Sequence, residues 1–131
     1  MNETAYNDLS RKIIGASIAV HRELGPGLLE SVYEECLTFE LSHLNLYLER
    51  QVEFPVIYKG QILTKTFIMD IVVEEMIVLE LKTVHELIPL NHIQLLTCLR
   101  IARMKLGLLI NFNTEVLREG IFRKINGNLN E

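Results

Sequence analysis

The amino-acid sequence predicts an α/β fold, in which helices flank a mixed β-sheet. Two helical periodicities precede three strand-like segments, and a third helical segment then leads into a continuous apolar strand. A strand, a crossover helix and another strand form a right-handed parallel unit, whereas strands joined by short turns are antiparallel. The predicted order is therefore ααβββαββ. A length of 131 residues suits one domain, predicted over residues 1–131.

Apolar residues recur at helical spacing in three segments. The first covers residues 8–24 and ends at the Gly-Pro-Gly run of residues 25–27. The second covers residues 29–44 and stops where Asn45 can take the left-handed conformation that ends helices. The third covers residues 89–104 and starts with a proline, which helix starts tolerate. These segments predict three helices.

Five segments have the composition of strands. Pro55 suggests a bulge or an edge position in the first, and Lys59-Gly60 supplies the turn to the second. Glu74-Glu75 reads as the connection of a tight hairpin between the second and third. The fourth is apolar throughout, which is typical of a strand buried on both faces. The predicted strands cover residues 48–58, 62–73, 76–84, 107–112 and 120–125.

Composition and charge argue against several classes of protein and of binding site. The net charge of −4 argues against strong nonspecific binding to nucleic acid, which depends on many contacts from lysine and arginine to phosphates. No apolar run approaches the roughly 18 residues that a membrane span needs, and the acidic, amide-rich start predicts a cytoplasmic protein rather than a signal peptide. Cys36 and Cys98 are expected to be buried thiols, and the four histidines lack zinc-ligand spacing.

Three charged residues occupy strands that otherwise favour burial. Asp70 lies within FIMDIVV, and Glu80 and Lys82 lie within IVLELKTV. Burying these charges without partners would be costly. They can compensate one another directly as a structural ion pair, or the carboxylates can enclose a divalent cation with their oxygens.

The spacing of these residues predicts how two strands pair. Cross-strand partners in an antiparallel pair have a constant index sum, and Asp70 opposite Glu80 gives 70 + 80 = 150. Val73 then pairs with Ile77, which leaves a three-residue loop, a permitted hairpin length. Glu80 and Lys82 share one face because side chains alternate along a strand. The three charges are therefore compatible with one metal site.

Two carboxylates and a lysine suit phosphodiester hydrolysis. The carboxylates hold Mg²⁺ or Mn²⁺, the ion polarises a phosphoryl oxygen and acidifies a bound water, and the lysine stabilises charge or positions that water. Spacing alone leaves the structural ion pair as the competing interpretation, because Glu-x-Lys is frequent by chance.

Four segments in order make the sequence resemble a known family: VHRELGPGLLESVYEECL, DIVVEEMIVLELKTV, HIQLL and LGLLINF. They are similar to the GxxExxY family, whose naming motif is matched by Gly27, Glu30 and Tyr33. That family is placed in the PD-(D/E)xK nuclease-like superfamily, with a restriction endonuclease-like core of αβββαβ order. The resemblance covers about residues 13–113.

The resemblance implies roles for individual residues. Asp70, Glu80 and Lys82 correspond to the superfamily's D and ExK elements, with Asp70 and Glu80 as metal ligands. Glu30 on the preceding helix is implied as a further acidic ligand, and Glu34, on the same helix face, is the competing residue.

The third helix supplies a weaker element of the resemblance. Gln94 resembles a glutamine that the superfamily carries on the helix after the ExK strand. Cys98 departs from the tyrosine often found four residues later, which weakens this element. Arg100, Arg103 and Lys105 form the best local basic group, although a solvated helix face is favoured over a track for phosphates.

The expected function is a Mg²⁺- or Mn²⁺-dependent phosphodiester hydrolase, that is, a nuclease acting on DNA or RNA. The alternative is a noncatalytic PD-(D/E)xK-like module that binds a protein or nucleic acid, as a homo-oligomer if the hydrophobic composition, 49%, serves self-association. Hydrolysis of a small phosphorylated molecule is a third interpretation.

Overall fold

The structure is a computed structural model that describes residues 2–130, so the first and last residues of the domain predicted over 1–131 lie outside the described residues. The predicted order ααβββαββ is confirmed, with one added 3-10 helix. The elements are α1 (Glu3–Leu24), α2 (Glu30–His43), β1 (Leu48–Tyr58), β2 (Gln61–Val73), β3 (Ile77–Lys82), α3 (Pro89–Ala102), β4 (Leu106–Asn111), the 3-10 helix (Leu117–Gly120) and β5 (Ile121–Ile125).

The five strands form one mixed sheet in the order β1-β2-β3-β4-β5. β4 runs parallel to β3, and every other neighbouring pair is antiparallel. The parallel pair needs a crossover, which α3 supplies. Every residue of β4 is buried, as its apolar run from Leu106 to Ile110 predicts.

Helices cover both faces of the sheet. One face packs against α1 and α2 through a large apolar cluster, and the other packs against α3 through a smaller one. Leu79 and Leu81 of β3 are fully buried on the α1 and α2 side, so the intervening Glu80 points toward α3. No helix within residues 2–130 is long and apolar enough to cross a bilayer.

Some element ends differ from the sequence prediction for local reasons. α1 begins at Glu3 rather than Asp8 because the Asn2 side chain caps it, accepting a hydrogen bond of 3.0 Å from the N–H of Ala5. β3 ends at Lys82 rather than at residue 84. Beyond it, the Asn111 side-chain amide hydrogen-bonds both the N–H and the carbonyl of Val84, which ends the ladder.

Part-way along the β1–β2 hairpin, the alternation of side chains between the two faces of the sheet is interrupted. Val73 and Ile71 pack with α1 and α2, but Met69, which alternation would place on the same face, packs with α3. The change occurs at Asp70, opposite Gln51, whose φ of 48° lies in the left-handed region. The hairpin beyond this point therefore curls over α3, and Asp70 lies at the bend.

Candidate active site

Asp70 lies where β2 separates from β3. The ladder pairs Val73 with Ile77 and Ile71 with Leu79, so its index sum is 150, as the sequence predicts. Asp70 and Glu80 are the next residues along, and here the Asp70 carboxylate, rather than a main-chain carbonyl, accepts a hydrogen bond of 2.9 Å from the N–H of Leu81. Asp70 thus closes the end of the ladder with its side chain.

Glu80 and Lys82 lie on the same side of β3, beyond the last residue that pairs with β2, and both still pair with β4. The Lys82 ammonium is 4.0 Å from a carboxylate oxygen of Glu80, and about a quarter of each side chain is exposed. An ion pair this long and this exposed contributes little to stability. The two groups are accessible to a ligand, which a buried structural pair would not be.

Glu30 is the first residue of α2, and the turn before that helix is fixed by Tyr33. The Tyr33 hydroxyl donates to the carbonyl of Gly25 at 2.6 Å and accepts from the N–H of Leu28 at 3.2 Å. Gly27 has a φ of 99°, which favours glycine. The three motif residues therefore have distinct places: a glycine in the turn, a buried tyrosine that holds the turn, and an exposed acid at the helix start.

Glu34, the competing acid on α2, is occupied by protein partners. Its carboxylate accepts hydrogen bonds from Arg50 at 2.9 and 3.2 Å and from the Gln51 amide at 2.6 Å. Gln51 also reaches Asp70, at 3.5 Å. Sequence reasoning missed both β1 residues, because nothing in the local pattern of an edge strand marks them as partners of acids on other elements.

The three candidate acids disfavour one another's ionisation. Burial, followed by the charge of Asp70, raises the pKa of Glu80 to about 7. The pKa of Asp70 is raised by burial and by nearby Glu34, against the lowering effect of the Leu81 hydrogen bond. Glu30 is exposed, but the protein around its carboxylate removes part of its hydration, and this desolvation, followed by the charge of Asp70, raises its pKa. The charge of Lys82 opposes each increase, so all four groups belong to one electrostatic cluster.

This cluster coincides with a family pattern. The family model described as the PD-(D/E)XK nuclease superfamily matches residues 7–124, which is most of the chain. The chain belongs to the PD-(D/E)XK nuclease superfamily. The run Glu80-Leu81-Lys82 has the residue types of the (D/E)XK part of that name, and Asp70, which follows Met69 rather than a proline, has the residue type of its first aspartate. Searches of curated proteins and of solved structures found no match.

PD-(D/E)XK nucleases generally use divalent metal ions, and the acids here fit such an ion in part. Within residues 2–130, no three aspartate, glutamate, histidine or cysteine side chains form a ready group of ligands. Magnesium, however, usually takes one or two carboxylates and completes its shell with water and substrate phosphates. Asp70 and Glu80, whose charged forms are disfavoured without a cation, match that smaller requirement.

A cavity of about 480 Å³ adjoins Glu80 on its α3 side, and Gln94 lines it. Gln94 is thus on the same side of the sheet as the ExK carboxylate. Cys98, one helical turn further on, also lines the cavity, and burial together with the charge of Glu80 raises the pKa of its thiol to about 11. Cys98 and Cys36 are free thiols.

His21 and His92 make contacts within the fold, and the basic group predicted on the third helix lies at the end of that helix. Nε2 of buried His21 donates to the carbonyl of Thr114 at 2.7 Å, and His92 packs edge-on against Phe122. The basic group predicted on the third helix is only partly helical, because Arg103 is the left-handed C-cap and Lys105 follows it. These residues lie where α3 leads into β4, at the opposite end of β3 from Lys82.

Proposed function

We propose that this chain is a metal-dependent nuclease of the GxxExxY type, hydrolysing phosphodiesters with Mg²⁺ or Mn²⁺. Asp70 and Glu80 hold the ion, Glu30 supports it from α2, and Lys82 acts beside it. Gln94, which lines the cavity beside Glu80, is the further residue that contacts the bound substrate. Membership of the superfamily and the polar groups around the end of β3 support these assignments.

One arrangement carries the proposal: the Glu80 carboxylate lies 4.0 Å from the Lys82 ammonium, and the N–H of Leu81 between them holds the Asp70 carboxylate beside the same strand. Desolvation, followed by the charge of Asp70, raises the pKa of both Glu80 and Glu30, and Lys82 opposes each increase. Fully ionised, Glu30, Asp70 and Glu80 with Lys82 carry a net charge of −2. A structural ion pair would be balanced, as Glu34 is by Arg50 at 2.9 Å. An unbalanced cluster destabilises the metal-free protein and is neutralised by one divalent cation.

The chain's own residues have definite tasks in this reaction. The bound ion supplies Lewis acidity toward a phosphoryl oxygen and a more acidic water. Lys82, about a quarter exposed, presents a positive charge that stabilises the extra negative charge of the phosphorane-like transition state. The hydrogen bond from Leu81 fixes the Asp70 carboxylate in place, so that less reorganisation accompanies the reaction.

A noncatalytic binding module is the second candidate, and a specific observation favours it. No group of three metal ligands is formed within the described chain, and Glu80 has Lys82 as a neighbour at 4.0 Å. In that case the acids would be a remnant or a structural feature of the superfamily fold, since fold membership does not establish activity.

A cleavage screen distinguishes the metal-dependent nuclease from the noncatalytic binding module. Purified protein is incubated with single-stranded, duplex and structured DNA and RNA in Mg²⁺, in Mn²⁺ and in EDTA. The proposal predicts cleavage in metal only, reduced on the order of 10²-fold or more in Lys82→Ala. Lys12→Ala, which removes an exposed lysine from α1, is the matched control and should cleave normally. Absence of metal-dependent cleavage, or equal loss in both variants, would favour the binding module.

A further inference from the structure

The cavity beside Glu80 is built from three separate elements. Val56 and Phe67 line it from the curled hairpin, and Glu80 lines it from β3. α3 supplies the remaining wall with side chains that recur at helical spacing along one face: Leu90, Ile93, Gln94, Thr97, Cys98 and Ile101. Its volume, about 480 Å³, falls within the roughly 300 to 1,000 Å³ of pockets that bind small organic groups.

The walls combine apolar surface with a few polar groups. Leu90 and Ile93 are 53% and 54% exposed, so this surface is left open to solvent beside a candidate catalytic carboxylate. The Gln94 amide offers both a donor and an acceptor, and the Thr97 hydroxyl, which already accepts a hydrogen bond of 3.1 Å from Arg100, can donate its proton. An apolar cleft with an amide and a hydroxyl at its side suits a flat heterocycle with polar edges.

The charge of the chain indicates how a polynucleotide could bind. With a net charge of −4, the protein lacks the excess of cations that holds a duplex through its phosphates. Base stacking on an aromatic side chain contributes roughly 1 to 3 kcal/mol per base and does not depend on protein charge, and Phe67 is the aromatic residue in the wall of this cavity. Since Glu80 belongs both to the cavity and to the acidic cluster, a base in the cavity would bring its own phosphate close to Lys82.

We infer that this cavity binds an unpaired nucleobase of the substrate, so that the substrate class is single-stranded nucleic acid. The inference rests on the proposed nuclease function, because it is the adjacency to the candidate catalytic acids that selects a nucleotide. A base in an uninterrupted duplex is stacked and paired, so it is not available to a side pocket of this kind.

Binding without cleavage tests the inference. Fluorescence anisotropy is measured in Ca²⁺ for a labelled single-stranded 12-nucleotide oligothymidylate, for the same backbone with abasic sites, and for the corresponding duplex. We expect the single strand to bind at least about tenfold more tightly than either competitor, which is the effect of one stacked base. Equal affinities for all three would overturn the inference.

Two variants locate the binding. Ile93→Glu places a charge at the cavity wall and, because Ile93 is half exposed, should leave the melting temperature unchanged while weakening single-strand binding at least about tenfold. Ile125→Glu, on β5 and 43% exposed, is the matched control and should bind like wild type. Equal binding by the two variants would place the base elsewhere and overturn the inference.

The binding and cleavage results can fail independently. Base-dependent affinity in a protein that cleaves nothing in Mg²⁺ or Mn²⁺ would contradict the nuclease proposal. Metal-dependent cleavage without base-dependent affinity would contradict the assignment of the cavity.

Discussion

The carboxylate of Asp70 accepts a hydrogen bond of 2.9 Å from the backbone N–H of Leu81. Asp70 lies one residue beyond the last pair of β2 and β3, Ile71 with Leu79, and Leu81 lies two residues beyond it. The side chain therefore provides the acceptor that the departing strand no longer offers. Asp70 has two separable properties as a result: an oxygen that completes the ladder, and a negative charge that adds to the acidic cluster.

Substitutions of Asp70 should separate these two properties. Asp70→Asn keeps an oxygen acceptor and removes the charge, so we expect metal-free stability to stay the same or increase. Asp70→Ala removes the acceptor as well and should cost about 1 to 3 kcal/mol, the penalty of an unsatisfied buried N–H. Urea unfolding in EDTA measures both. A loss of about 3 to 5 kcal/mol in Asp70→Asn would instead identify a buried ion pair with Lys82.

The raised pKa of Glu80 predicts how stability depends on pH. Its pKa is about 7 in the folded chain and near the ordinary 4.5 when unfolded, so the folded state holds the proton more tightly. The stabilisation from this proton is complete below about pH 4.5 and is lost as the pH rises through about 7, by roughly 3 kcal/mol at most. Glu80→Gln should remove this component, giving a variant relatively more stable at pH 8 in EDTA. Parallel stability curves for the two proteins between pH 4.5 and 8 would contradict the assignment.

Substitution of Glu34 should lower stability, whereas substitution of Glu30 should weaken metal binding. The Glu34 side chain is 10% exposed and paired with Arg50, so Glu34→Gln should lower the free energy of unfolding by about 1 to 3 kcal/mol. Glu30 is exposed at the helix start, so Glu30→Gln should leave stability nearly unchanged while weakening metal binding. Thermal melts with a metal titration of each variant check this. Loss of metal binding in Glu34→Gln alone would make Glu34 the helix ligand.

Tyr33 should prove structural. Its ring stacks on Phe112 with centroids 4.5 Å apart, and its hydroxyl bonds Gly25 and Leu28. Tyr33→Phe should therefore destabilise the protein by about 1 to 2 kcal/mol, with normal cleavage well below the melting temperature. Tyr58→Phe, at an exposed position on β1, is the control and should change neither. Lost cleavage in a stably folded Tyr33→Phe protein would indicate a chemical role for the phenol.

Much of the site's framework could be predicted from the sequence because it depends on short-range rules. Strand alternation and the length of the Glu74–Met76 connection fix the β2–β3 register, which is confirmed by Val73 opposite Ile77. A short hairpin allows few registers. A shift of one residue would move the apolar side chains of the strand from the buried face to the other face of the sheet.

The partner of Asp70 on β1 could not be predicted in this way. Near the hairpin tip the pairing sum is 119, as for Tyr58 with Gln61, but beyond the irregularity after Pro55 it is 121, as for Val52 with Met69. Pro55 predicts an irregularity without giving its size, and two residues decide whether Gln51 lies opposite position 68 or Asp70. The bend itself depends on a left-handed φ at Gln51. A glutamine in a sequence does not predict this conformation, which is uncommon for residues other than glycine.

Binding of Mn²⁺ measured by calorimetry, without nucleic acid, tests the central claim most directly. Wild type, Asp70→Asn, Glu80→Gln and the control Glu75→Gln, an exposed acid in the β2–β3 turn, are titrated at pH 7.5. We predict a saturable site in wild type and Glu75→Gln, with affinity reduced at least about tenfold in Asp70→Asn and Glu80→Gln, because each removes one of the two carboxylate ligands. Absence of saturable binding in wild type, or equal affinity in all four proteins, would contradict a divalent-metal site at Asp70 and Glu80.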